Sequence, residues 1–157
     1  METIKEIKII TDLGIGFLHG LNGKDGARLG MMQMMSSVFR EGSTYDGYEV
    51  ITDKHSYKVL IDNQQSCCES WGYLASEDNN DAFIGAELIE VKLTDVALNQ
   101  KVVEESDYYV DAGGIQFVDF VTDKGVLQLA VYNGHNGYYG HGIIVAKDEN
   151  VLLDDVL

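Results

Sequence analysis

Residues 114–133 read GIQFVDFVTDKGVLQLAVYN. Two runs rich in valine, leucine and phenylalanine flank Asp123 and Lys124, and Gly125 can take the backbone conformation that closes a tight turn. The stretch predicts a β-hairpin and hence an antiparallel sheet. Working outward, YEVIT (48–52) and SYKVLID (56–62) predict a second hairpin across DKH, and AELIEVKL (86–93) alternates like a half-buried strand. HGIIVAKD (141–148) supplies another strand. Upstream, ARLGMMQMMSSVFR (27–40) predicts a helix with Met31, Met35 and Val38 on one face. Ser66 and Glu69 have the spacing of a capping box, which predicts a short helix carrying Cys67, Cys68, Trp71 and Leu74 and weakened by Gly72. The first 13 residues fit either a short helix or a strand, and the glycine-rich stretch 14–26 reads as loop. The expected fold is α+β: an antiparallel sheet of five or six strands with two or three helices. Residues 1–44 would form an N-terminal helical and loop extension, and residues 45–157 an acidic α+β domain.

Composition narrows the function classes. The 157 residues include no proline and carry a formal net charge of -15. The charge is uneven: residues 1–61 hold eight acids and seven bases, whereas residues 62–157 hold eighteen acids against Lys92, Lys101, Lys124 and Lys147. Such a surface repels phosphate backbones, so direct nucleic-acid binding is not expected. It attracts basic proteins and steers them quickly at low salt. No apolar run reaches the ~18–20 residues of a membrane span, and the charged N-terminus lacks the apolar core of a signal peptide. A cytoplasmic protein without membrane contact is the expectation.

Chemistry-bearing residues concentrate in two patches, SCCESWGYLASEDNND (66–81) and YNGHNGYYGH (132–141). Thiolate and neutral imidazole are preferred zinc ligands, so Cys67, Cys68, His135 and His141 form a candidate zinc site. The six-residue histidine spacing exceeds that of zinc fingers, and adjacent cysteines diverge in direction, so a carboxylate such as Glu69 or a loop aspartate is a candidate to complete the shell. Two other readings stand beside the metal: histidines that hydrogen-bond within their own loop, and a thiol catalyst in which Cys67 or Cys68 attacks with a histidine as base. His19 and His55 read as solvated loop residues. An EF-hand, a phosphate loop and an RNA-binding aromatic stripe are all missing from the sequence.

The blocks CCESWGY (67–73) and YNGHNGYYGH (132–141), joined by β-rich sequence, resemble an uncharacterised domain family of bacteriophages and bacterial mobile elements. The resemblance covers residues 45–148. It implies a phage-type inhibitor of host defence, similar to the anti-CRISPR proteins that bind type II RNA-guided nucleases, whose channels are basic. Under this expectation Glu77, Asp78, Asp81, Glu104, Glu105, Asp107 and Asp111 contact the partner, and a zinc ion stiffens the loops. The competing expectation is a small metal- or thiol-dependent hydrolase centred on Cys67, Cys68, His135 and His141.

Overall fold

The hairpin of residues 114–133 forms in the computed structural model, which describes residues 1–16, 18–19, 44–65, 69–77, 79–98, 101, 113–134 and 140–157. Thr122 lies opposite Gly125, so Asp123 and Lys124 make the turn, and Gly125 has φ of 126°. The Thr122 hydroxyl braces it by donating to the Gly125 carbonyl at 2.7 Å.

Nine strands follow along the chain: β1 (Glu2–Gly14), β2 (Thr44–Thr52), β3 (Ser56–Asp62), β4 (Ser70–Ala75), β5 (Glu87–Thr94), β6 (Gly113–Thr122), β7 (Gly125–Gly134), β8 (Gly142–Lys147) and β9 (Asn150–Val156). Their order across the sheet is β4-β7-β6-β5-β1-β2-β3-β8-β9, with antiparallel pairing throughout. Among the described residues, helical structure amounts to a 3-10 turn at Asn80–Phe83 and the single residue Lys101. The expected α+β fold is thus corrected to an almost wholly antiparallel β fold. The expected helix over 27–40 lies outside the described residues.

The helix expected after Ser66 is replaced from Ser70 onward by strand β4. Tertiary packing explains the difference. Trp71, Tyr73 and Ala75 alternate onto the main core, while Leu74 packs on the other side with Phe117, Ala130 and Tyr132. Gly72 matters here because a Cβ would come within 2.6 Å of the Tyr132 hydroxyl. A two-residue period with aromatic side chains suits a strand.

Strand β1 lies between β5 and β2, so residues 2–14 of the 1–44 segment sit in the middle of the sheet. Apart from Ile9, which is exposed, its isoleucines and leucine, Ile4, Ile7, Ile10 and Leu13, recur every third position. Two irregularities reconcile that spacing with a strand: register shifts fall between Ile4 and Glu6 and between Ile10 and Leu13. Each extra residue resets the alternation. Ile4 and Ile7 therefore reach the main core, whereas Ile10 and Leu13 reach a second one.

The sheet folds on itself about β1. One half, β4-β7-β6-β5, and the other, β1-β2-β3-β8-β9, enclose the main core of Ile4, Val50, Val59, Phe120, Leu129 and Val145 and their neighbours. Edge-to-face ring contacts join the halves, Tyr48 with Tyr73 at 5.3 Å and Tyr57 with Phe120 at 5.9 Å between centroids. The second cluster, Tyr45, Leu60, Ile144 and Ala146 under Ile15 and Leu18, covers the other face of β2, β3 and β8. Strands buried on both faces explain the continuous apolar runs in β7 and β8.

Candidate functional site

The fold brings the end of β3, the start of β4 and the residue before β8 together around His141. That imidazole is 1% exposed. Its Nδ1 lies 2.5 Å from the Asp62 carbonyl oxygen, and its Nε2 lies 2.9 Å from Glu69 Oε1. A carbonyl oxygen only accepts, so Nδ1 carries a proton and donates it. Nε2 and Glu69 then share one further proton, as imidazolium with carboxylate or as imidazole with carboxylic acid. Either form gives a paired, uncharged unit inside the protein.

Described neighbours hold this unit in place. The Trp71 ring stacks on His141 at 5.5 Å with 24° between planes. Trp71 Nε1 donates to Gln65 Oε1 at 2.7 Å, and Gln65 Nε2 donates to the Glu69 carbonyl at 2.8 Å. The His141 backbone exchanges two hydrogen bonds of 2.9 Å with Leu157, whose carbonyl also accepts from Asn133 Nδ2 at 3.0 Å. The Asp62 carboxylate accepts from Gln64 N at 2.8 Å within its own loop.

This geometry places one of the four expected zinc ligands. His141 has both ring nitrogens engaged, so as placed it offers no lone pair to a metal and no base to a thiol. Cys67, Cys68 and His135 lie outside the described residues. Among the described residues, no three His, Cys, Asp or Glu side chains converge as a metal group would need. The buried partner of His141 is Glu69, which the sequence offers as a helix cap or as a carboxylate completing a zinc shell, and not as a hydrogen-bond partner of the histidine. A glutamate between two cysteines and a tryptophan in CCESW is the signal that could have marked it.

Of the expected partner-contacting acids, Glu77 and Asp81 are exposed at either side of residue 79, Asp81 within the 3-10 turn. Asp78, Glu104, Glu105, Asp107 and Asp111 lie outside the described residues. Further exposed acids are Glu6, Asp12, Asp53, Glu90, Asp95, Asp123, Glu149 and Asp155, carried on strands and tight turns. Other carboxylates are paired with neighbouring groups of the chain. Partial burial pushes the Glu49 carboxyl up, but hydrogen bonds from Ser56 and Lys58, the Lys58 charge and a bond from Lys8 together hold it below its ordinary value. The backbone N–H of Ser56 holds Asp148 low, helped by the His55 ring at 2.6 Å. His55 is thus paired with an acid. Burial, with Tyr73 and Tyr132 beside it, pushes the Tyr48 hydroxyl up to about 12.

No helix among the described residues is long and apolar enough to cross a membrane. Neither the curated proteins nor the solved structures contain a match to this chain. A family model does match, over residues 4–145, so it takes in eight of the nine strands, β1 to β8, in whole or in large part. The chain belongs to that family, described as a domain of unknown function, DUF7448.

Proposed function

We propose that this domain is a stoichiometric inhibitor that docks on a basic, nucleic-acid-handling host protein and competes there with nucleic acid. The observation that carries the reading is the charge: eighteen acids against four lysines over residues 62–157. The exposed acids stand on paired strands and short turns, so little order is lost when a partner meets them. Dense negative charge held in place competes with a phosphate backbone for the same basic channel. The resemblance to phage and mobile-element domains supports a role against host defence in the bacterial cytoplasm, with a type II RNA-guided nuclease as the first partner to test.

A hydrolase centred on His141 has less support, because that ring is buried and both its nitrogens are occupied.

The test is direct titration of purified protein against the nuclease, with and without guide RNA, at rising salt and with competing DNA. Saturable binding that weakens with salt and displaces DNA is the expected outcome. No binding at low salt, or binding indifferent to salt, would overturn the reading.

A further inference from the structure

Strand β1 has a neighbour along the whole of one edge and along little of the other. It pairs with β2 from Ile4 to Gly14. Toward β5, Glu2 and Thr3 lie opposite Leu88 and Glu87. Ile4 then donates to the Ala86 carbonyl at 2.9 Å and accepts from the Gly85 N–H at 2.8 Å. The chain ahead of β5 ends this pairing itself. Gly85 has φ of 86°, and the 3-10 turn Asn80–Phe83 stands where a longer β5 would have continued along β1. From Glu6 onward that edge has no paired strand among the described residues. Lys5, Glu6, Lys8, Ile9, Thr11 and Asp12 are all exposed, so side chains on both faces of the stretch meet water.

Beside this edge is a groove of about 300 Å³, lined by Ile7, Lys8 and Ile9 of β1, Tyr48 of β2, and Asn80 and Asp81 of the turn. Consecutive residues of a strand point to opposite faces, so a groove that takes in three of them reaches around the strand's edge. Their other edge is occupied, by Val50, Glu49 and Tyr48 of β2.

The groove's own groups select its occupant. Ile9 lies two residues beyond Ile7, which packs on the main core, and it is 59% exposed. It thus carries the apolar inner face out into water. Asn80 Oδ1 is buried and has no hydrogen-bond partner among the described residues. Such acceptors are rare in a complete structure, and this one marks a donor still to arrive. Lys8 is engaged by Glu49 at 3.3 Å, and Lys5 is offset by Glu6 beside it. Past Lys8 the charges along the edge are acidic: Asp81 in the groove, and Asp12, joined to Asp46 through the Asn63 amide. An unpaired backbone edge takes an extended chain, Ile9 takes an aliphatic side chain or stem, and Asp81 takes a cation. A second copy would bring its own net charge of -15 to the same place, whereas a basic segment is drawn there.

We infer that the β1 edge from Glu6 to Asp12 is a strand-addition site for an extended, arginine- or lysine-bearing segment of the partner protein. The inference rests on the proposed binding to a basic protein and locates its specific contact. Backbone hydrogen bonds align the segment along β1, an aliphatic side chain covers Ile9, and a basic one reaches Asp81.

The test uses two fluorescein-labelled peptides of alternating arginine and valine, one unmodified and one methylated at every backbone nitrogen. Both carry the same charge, but the methylated peptide lacks the donors that strand addition needs. Anisotropy titrations are run on the wild-type chain and on Ile9→Lys, Asp81→Lys and Glu90→Lys. The last makes the same charge change as Asp81→Lys, on β5 beyond the Glu2 end of β1. The unmodified peptide should bind at least about tenfold more tightly than the methylated one. Ile9→Lys and Asp81→Lys should each weaken it by about tenfold and Glu90→Lys by no more than about twofold, with unchanged circular dichroism. On the wild-type chain, the unmodified peptide should slow hydrogen exchange at amides between Glu6 and Asp12. Equal binding of the two peptides, equal weakening by Asp81→Lys and Glu90→Lys, or unaltered exchange along β1 would overturn the site while leaving the charge-based reading intact. Failure of both peptides to bind at low salt would overturn the two together. A wild-type dimer in sedimentation, abolished by Ile9→Lys, would overturn the basic segment as occupant and assign the edge to a second copy.

Discussion

At the scale of single residues, the most consequential pair is Glu69 with His141. Both side chains are out of water, and each is the other's charge partner. Removing one member strands the other, which typically costs ~3–5 kcal/mol. Glu69→Ala should lose about that much in chemical denaturation, whereas the double change Glu69→Leu with His141→Phe should recover much of it. A chelator should leave the wild-type midpoint where it is; a clear downward shift would show His141 engaged by a metal instead. Glu49 provides a second residue-scale prediction. Its folded value is lowered, so it contributes stability that is present above its unfolded value and lost as pH falls through the folded one. Denaturation midpoints followed from about pH 7 to about pH 3 should therefore decline in the acid range, and Glu49→Gln should flatten that decline. The residues of this site were only partly legible in the sequence. His141 stood out because imidazole is a preferred metal ligand and a second histidine, His135, lies six residues before it. Glu69 was legible only as a helix cap or a candidate metal ligand, because a capping box and a buried proton-sharing acid can have the same three-residue spacing from a serine, and only tertiary contact separates them.

At the scale of elements, legibility followed burial. Strand β3 was read at its observed bounds, SYKVLID, because DKH breaks the chain before it and its apolar residues run on to Asp62. Strand β1 stayed ambiguous because its bulges convert a two-residue period into one of three, which a helix shares. Strand β9, NVLLDDV, went unread since its paired acids interrupt any alternation; at the end of the sheet, such charges deter pairing with other chains. The junction of β2 and β3 depends on Gly47. A Cβ there would sit 1.9 Å from the Val59 carbonyl oxygen, and its φ of 155° is one that other residues rarely adopt. The atoms that the Cβ would meet belong to backbone, so no rotamer relieves the clash. Gly47→Ala should cost at least the upper end of the ~1–3 kcal/mol usual for overpacking, read as a lowered denaturation midpoint. Gly72→Ala should cost less, because what must give way is the tip of the Tyr132 side chain.

At the scale of the whole molecule, charge governs association. Reversing Glu77 and Asp81 to lysine should slow association with a basic partner more than it speeds dissociation, and should flatten the salt dependence of the rate. Stopped-flow measurements at several ionic strengths separate those effects. Folding speed follows from the order of strands. The hairpins β2–β3, β6–β7 and β8–β9 join neighbours in sequence, but the sheet is completed by β3 against β8, where His55 meets Asp148 across 93 residues of chain. Closing so long a segment loses entropy before any contact compensates for it, which places such topologies in the millisecond-to-second range. Refolding should show early hairpin protection in hydrogen exchange and a later, slower step in which β3 and β8 amides become protected together. Until that step, β3 and β8 expose both of their apolar faces as well as their edges. The nascent chain is therefore most exposed to aggregation after β3 emerges and before β8 follows, an interval set by the rate of translation.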